Sequence, residues 1–213
     1  MEKPLCPDEP GFRIIETFAR RDGAFPRLDR HLARMGRTAR ALGIAFDAAA
    51  VRALLPDEGE LRCRLTLDRA GRAEITTAPL GAPAGDWRVM IAEPRLRAGD
   101  PWLRMKTTRR ALYDETRAAL PGGIDEALFL NERGELCEGT ITNLFLQRDG
   151  ELLTPPVASG LLPGVLRESL LESGECSETV LTAGDLASAE ALYVGNSLRG
   201  LIRATLVRDA PMP

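Results

Sequence analysis

The stretch 127–154 restricts the fold more than any other. Residues 127–131, 136–147 and 152–154 are rich in strand-forming side chains, and Arg133-Gly134 and Asp149-Gly150 punctuate them as turns. Short runs separated by such turns predict an antiparallel meander. Pro163-Gly164 then opens an apolar helix, Val165-Leu166-Arg167-Glu168-Ser169-Leu170-Leu171, with proline near the first turn, where its missing N–H costs nothing.

The flanks read as a mixture of both element types. Residues 12–18 predict a strand, turned by Arg21-Asp22-Gly23, with 24–28 as a short return strand. Asp29 is placed to cap a helix bearing Leu32, Met35, Ala39 and Leu42 and closed by Gly43. A second helix follows Asp47, and 61–67 alternates apolar with polar before turning at Arg69-Ala70-Gly71 into 73–77. The Pro-, Gly- and Ala-rich 79–86 reads as a linker. Beyond it come a strand at 87–92, a helix through Leu112, Tyr113, Thr116 and Leu120, the meander, the Pro163 helix, and strands near 178–181, 191–194 and 201–207. The expected class is α+β in two domains, 1–80 and 87–213.

Composition removes several functions. The 213 residues carry a net charge of -3 with both signs interspersed, and no basic stripe suits nucleic acid or an anionic membrane. No apolar run has the length of a bilayer span, and the first ten residues lack the apolar stretch of a secretory leader. Cys6, Cys63, Cys137 and Cys176 are scattered, as expected of reduced thiols in a cytoplasm. A single histidine, His31, argues against a His-ligated metal and a Ser/His/Asp triad; it reads as a packing or capping residue.

Of 28 basic residues only two are lysines, Lys3 and Lys106. Arginine keeps its proton and cannot attack a carbonyl, whereas lysine can. Lys106 in Arg104-Met105-Lys106-Thr107-Thr108-Arg109-Arg110 is therefore the candidate nucleophilic amine, against the plainer reading of a surface cation. Glu138 stands in a strand pattern filled by Leu136, Ile141, Leu144 and Phe145. A carboxylate there needs a partner, such as a protonated pyridine nitrogen, unless it lies on a solvated face. Asn143 could bond neighbouring backbone or a ligand. Arg27, after Phe25-Pro26, could pair a phosphate bidentately or be a solvated charge. The Pro163-Gly164 helix start, with backbone at Gly164 and Val165, and the loop Gly195-Asn196-Ser197-Leu198-Arg199-Gly200 are possible phosphate seats or ordinary turns. An amine, a carboxylate and a helix N-terminus are what a pyridoxal phosphate site requires.

With those motifs the chain resembles the class IV (fold type IV) aminotransferase-type pyridoxal phosphate enzymes, which include branched-chain and D-amino acid aminotransferases and aminodeoxychorismate lyase. The resemblance covers about residues 11–206. It rests on Phe-Pro-Arg-Leu-Asp-Arg-His-Leu at 25–32, Lys106, Glu138-Gly139-x-x-x-Asn143-Leu144-Phe145 and Leu162-Pro163-Gly164-Val165-x-Arg167. It implies a D-amino acid aminotransferase-like fold, with a small α+β N-terminal domain and a larger barrel-like C-terminal one, usually in a homodimer. It implies pyridoxal 5'-phosphate as cofactor and Lys106 as Schiff-base lysine and proton shuttle. Glu138 becomes the pyridine nitrogen partner, and Arg27, Gly164, Val165 and Ser197 bind phosphate, with Asn143 beside them.

Within the family, Lys106-x-x-x-Arg110 and Gly-Asn-Ser-Leu-Arg-Gly at 195–200 resemble aminodeoxychorismate lyases, and Ala111 stands where branched-chain aminotransferases carry Tyr. Members usually open with a further strand or two ahead of the segment matching Glu16-Thr17-Phe18, so the small domain is expected to be short. The resemblance implies a lyase making 4-aminobenzoate and pyruvate from 4-amino-4-deoxychorismate, with Arg110 and Arg199 as candidate cations for substrate carboxylates. An aminotransferase is the alternative, and a non-catalytic binding protein on the same scaffold the third reading.

Overall fold

A computed structural model describes residues 7–82 and 85–207. The chain divides into two compact units, Met1–Ala82 with Met105–Arg109, and Pro83–Arg104 with Arg110–Pro213. The structure therefore differs from a simple division at the linker, because the segment carrying Lys106 belongs with the first unit.

In that unit β1 (Ile14–Arg20), β2 (Leu61–Leu67) and β3 (Ala73–Pro79) form an antiparallel sheet in that order. The alternation of 61–67 puts Cys63, Leu65 and Leu67 into the core while Arg62 and Arg64 stay outside. Helix α2 (Ala48–Arg52) starts where expected, with Asp47 accepting from the N–H groups of Ala49 and Ala50.

Helix α1 (Leu28–Ala41) departs from expectation. Its N-cap is Arg27, in a left-handed conformation (φ 58°, ψ 22°), so Asp29 lies inside the first turn. There its charge still complements the helix dipole, and it pairs with Arg52. The early start also removes the expected return strand at 24–28, of which only the bridge Arg21–Ala24 remains.

Below α1 lies a fully enclosed polar cluster. Glu16 on β1 accepts from Arg34 through both oxygens, at 2.8 and 2.6 Å, and its Oε2 lies 2.7 Å from His31 Nδ1. Burial alone would raise the Glu16 pKa, but Arg34 and then His31 outweigh it and hold the carboxyl at about 2. His31 is thus a packed partner of a carboxylate, and its ring also meets Phe18 with centroids 5.5 Å apart.

In the second unit, β4 (Trp87–Leu96), β5 (Glu126–Asn131), β6 (Leu136–Gly139), β7 (Asn143–Arg148), β10 (Ala191–Asn196) and β11 (Gly200–Leu206) close into a six-stranded barrel. The β10–β7 pairing completes the ring, while β8 (Glu151–Thr154) and β9 (Ser177–Glu178) extend from β7. Val89, Leu128, Leu130, Leu136, Leu144, Leu146, Leu192, Val194 and Ile202 fill one cluster drawn from all six barrel strands. The alternate residues Ala127, Phe129 and Cys137 pack under α3 (Ala111–Ala118), and Phe145 and Tyr193 under α4 (Val165–Glu172). Helix α5 (Ala183–Ser188) starts with a reciprocal cap between Thr182 and Asp185. Cys63, Cys137 and Cys176 are buried free thiols, and Cys6 lies outside the described residues. Among the described residues no helix is long and apolar enough to cross a membrane and no metal-holding cluster occurs.

The Glu16 cluster yields a stability prediction. Glu16→Gln leaves Arg34 buried without its counter-charge and is expected to cost about 3 kcal/mol in urea unfolding at neutral pH. The folded pKa of about 2 lies below the ordinary 4.5, so this contribution is whole above pH 4.5 and drains as pH falls towards 2. Stability of the variant should therefore fall less steeply across that window than that of the parent protein. An unchanged acid slope would exclude the cluster as its source.

Candidate active site

The expected strand at 136–147 is two strands joined by a tight reversal. β6 ends at Gly139, β7 begins at Asn143, and Glu138 and Asn143 face each other across the pair. Thr140, Ile141 and Thr142 make the turn, and a carboxylate builds it. Glu126, wholly buried at the head of β5, accepts from the N–H groups of Thr140 (2.9 Å) and Ile141 (3.1 Å) and from the Thr142 hydroxyl (3.0 Å). The Thr140 hydroxyl also bonds it, and Arg117 lies 3.5 Å away as counter-charge. Gly139 is required here, since a Cβ would meet Glu126 at 2.8 Å and the Thr142 hydroxyl at 2.5 Å.

A bulge aims Glu138. Leu128 pairs with Gly139 and Leu130 with Leu136, so β6 carries one extra residue between those pairs. Without it, Glu138 would follow Leu136 into the apolar cluster that fills the barrel. The bulge instead lets Glu138 meet α3, where the Tyr113 hydroxyl donates to its Oε1 at 2.8 Å. Burial first, then the Glu138 charge and this hydrogen bond, push the Tyr113 phenol far above its usual range, so it remains a donor. Burial, followed by the charges of Glu138, Glu135 and Glu132, likewise pushes the Cys137 thiol up to about 12, so it offers no thiolate at neutral pH.

Asn143 links Glu138 to the start of α4. Its Nδ2 donates to the Leu162 carbonyl at 3.0 Å, so of the two uses open from sequence the backbone bond is made. Its Oδ1 occupies the space beside Gly164, the N-cap of α4, where a Cβ would lie 1.7 Å away. Gly195, opposite Asn143 on β10, is equally confined: a Cβ there would meet the Gly200 carbonyl at 2.7 Å and Leu166 of α4 at 2.9 Å. Asn196 completes the assembly by donating to the Ile141 carbonyl (3.1 Å) and accepting from the N–H groups of Leu198 and Arg199. The loop bearing Ser197 is thereby fixed to the 139–143 turn.

The second unit thus brings together Glu138, Asn143, the Gly164–Val165 helix start and the Ser197 loop. A buried carboxylate and a helix N-terminus lie on either side of Asn143, the kinds of group that suit a protonated ring nitrogen and a phosphate. Arg110 donates to the Thr140 carbonyl at 3.1 Å and to Asp114 at 2.7 Å, which anchors the turn to α3. Arg199 lies over the Trp87 ring, 5.6 Å from its centroid.

Arg27 and Lys106 lie in the first unit, Arg27 at the left-handed start of α1. Lys106 is stitched along β1: its carbonyl accepts from Ile15 N–H at 2.9 Å, Thr107 bridges Ile14, and Thr108 N–H donates to the Arg13 carbonyl at 2.9 Å. It is the one lysine among the described residues. Glu126 and Tyr113 were not given a site role from sequence, and Gly195 entered only as the start of the Ser197 loop. The one local signal was a charge heading an apolar strand at Glu126.

The Asn143–Gly164 contact is testable by a double-mutant cycle. Gly164→Ala is expected to destabilise by about 1–3 kcal/mol through overpacking, and most of that cost should vanish in an Asn143→Ala background, where the obstructing amide is gone. Additive losses in urea unfolding would reject the contact.

Comparisons with known proteins identify the family. A family model described as Amino-transferase class IV matches residues 13–207. A Schizosaccharomyces pombe protein provisionally named an aminodeoxychorismate lyase is 28% identical over 199 residues, covering 87% of this chain and 86% of its own. A crystal structure from Mesorhizobium loti, provisionally named an amino-acid aminotransferase, is 45% identical with a TM-score of 0.88, over 92% of this chain and 100% of that one. A hypothetical aminotransferase from Mycobacterium tuberculosis in a PLP-bound form shares the fold, at 23% identity and a TM-score of 0.80 over 94% of this chain and 84% of its own. The chain belongs to the class IV aminotransferase family.

Proposed function

We propose that the protein is a pyridoxal 5'-phosphate enzyme that converts 4-amino-4-deoxychorismate to 4-aminobenzoate and pyruvate. The observation that carries the cofactor reading is the double role of Asn143, which pairs with Glu138 across the hairpin and packs on Gly164 at the start of α4. One residue thereby spaces a buried carboxylate from a helix N-terminus, as a ligand with a basic ring nitrogen and a phosphate demands.

When bound, the cofactor supplies an electron sink for the charge left when a proton departs from the substrate's aminated carbon. Glu138 would hold the ring nitrogen. The backbone at Gly164 and Val165, the Ser197 hydroxyl and Arg27 would hold the phosphate, with Asn143 fixing the helix start. Lys106 would hold the cofactor through its amine and would accept the proton from the substrate's aminated ring carbon. Breakage of the carbon–oxygen bond to the enolpyruvyl group then aromatises the ring, and the departing fragment gains a proton to become pyruvate. Arg199 is the first candidate cation for a substrate carboxylate, since Arg110, the other, is already bonded to Asp114 and the Thr140 carbonyl. The reading places the enzyme in a cytoplasm, as a homodimer.

Support for the lyase comes from Ala111, which opens α3 five residues after Lys106, and from the Schizosaccharomyces pombe relative spanning most of the chain. An aminotransferase is the second reading, favoured by the name of the Mesorhizobium loti protein at 45% identity. In it Lys106 would likewise move the substrate's proton, with no elimination following.

Incubation with freshly generated 4-amino-4-deoxychorismate should release fluorescent 4-aminobenzoate, and Lys106→Ala should reduce the rate by at least about a thousandfold. Full activity of that variant would overturn the role of Lys106. A wild-type protein that binds pyridoxal phosphate yet releases no 4-aminobenzoate, and that converts an amino donor to its keto acid, would replace the lyase by the aminotransferase.

A further inference from the structure

We infer that Tyr113 is the positioning residue of the site, acting through Glu138, and that it holds that carboxylate in the orientation a pyridine nitrogen needs. The inference rests on the cofactor reading above and adds to it a residue that contributes no atom to cofactor or substrate.

The geometry is that of a clamp. The Tyr113 hydroxyl donates to Glu138 Oε1 at 2.8 Å, and the tyrosine ring makes two further contacts. Its ring meets Phe129 of β5 edge-on, with centroids 5.1 Å apart and planes at 65°. The Arg110 guanidinium lies over the same ring, 5.8 Å from its centroid, and is bonded to the Thr140 carbonyl of the turn that follows Glu138. Helix α3 therefore grips the β6–β7 hairpin twice: at Thr140 through Arg110 and at Glu138 through Tyr113. Arg110 is the N-cap of α3 and Tyr113 lies in its first turn, so one end of the helix supplies both grips.

The chemistry of the donor fits the task. A glutamate's terminal torsion is soft, so a carboxylate carried on a bulge needs an external partner to fix its plane. A cation in that place would compete for the negative charge that the ring nitrogen must see. A neutral phenol fixes one oxygen and leaves the net charge on the carboxylate, and the burial that keeps Tyr113 protonated keeps it neutral.

The test compares wild type, Tyr113→Phe, Glu138→Gln and the double variant, each loaded with pyridoxal phosphate. Phe keeps the ring against Phe129 and removes only the hydroxyl. Tyr113→Phe is expected to lower kcat about tenfold, the scale of one hydrogen bond to a charged group, while KM changes by less than about twofold. Its unfolding temperature should match wild type, and the pH at which the bound cofactor's visible absorption changes should shift. In the Glu138→Gln background the same substitution should produce no further loss, because its effect passes through Glu138. Wild-type kcat and pH profile in Tyr113→Phe, or equal losses in both backgrounds, would overturn the assignment while leaving the cofactor reading intact. A wild-type protein that takes up no pyridoxal phosphate, judged by borohydride trapping on Lys106 and mass spectrometry, would overturn the cofactor reading and the assignment together.

Discussion

The buried carboxylate of Glu126 underlies the order of the second unit. It replaces the missing partners of a reversal only three residues wide, accepting from the backbone of Thr140 and Ile141 and from the hydroxyls of Thr140 and Thr142. An uncompensated charge at that depth would be costly, and Arg117 with this array of donors offsets it. Because the reversal is held from below, Glu138 and Asn143 are cross-strand neighbours rather than two points on a long strand. Everything that follows, from the bulge to the helix start at Gly164, takes its position from that hairpin.

Glycine supplies the close approaches. Gly139 admits Glu126, Gly164 admits the Asn143 amide, and Gly195 admits both the Gly200 carbonyl and Leu166. At none of these three does the backbone adopt a left-handed φ. Their requirement is the absence of a Cβ, and it draws a hairpin, a helix N-terminus and a loop into van der Waals contact. The first unit uses a different device. Arg27 takes a left-handed conformation to start α1 early, a local strain tolerated because Leu28, His31, Leu32 and Met35 then fall on the buried face. Glu16, His31 and Arg34 satisfy one another beneath that face.

Elements with local causes were legible in the sequence. The strand at 61–67 emerged with its bounds intact because alternation sets them, and Asp47 capped its helix because the cap is a contact between near neighbours. Lys106, Glu138, Asn143 and Gly164 stood out by residue type and motif, and the fold followed from the resemblance those motifs carry. What was hidden depends on contacts between distant residues. The division of 136–147 required Glu126, ten or more residues away in sequence. The aim of Glu138 required a bulge, which the period-two reading of a strand cannot contain. Tyr113 read as one apolar position among Leu112, Thr116 and Leu120, and only its hydroxyl's partner shows its use. The placement of Lys106 along β1 likewise rests on pairing across some ninety residues.

The central claim is that Glu138 holds a protonated pyridine nitrogen at the site that Asn143 spaces from the start of α4. The most direct measurement is nuclear magnetic resonance of pyridoxal phosphate isotopically labelled at its ring nitrogen and bound to the wild-type protein and to Glu138→Gln. The account predicts a protonated nitrogen in the wild type and an unprotonated one in the variant, with the cofactor bound in both. An unprotonated nitrogen in the wild type, or a protonated one indifferent to Glu138→Gln, would contradict it.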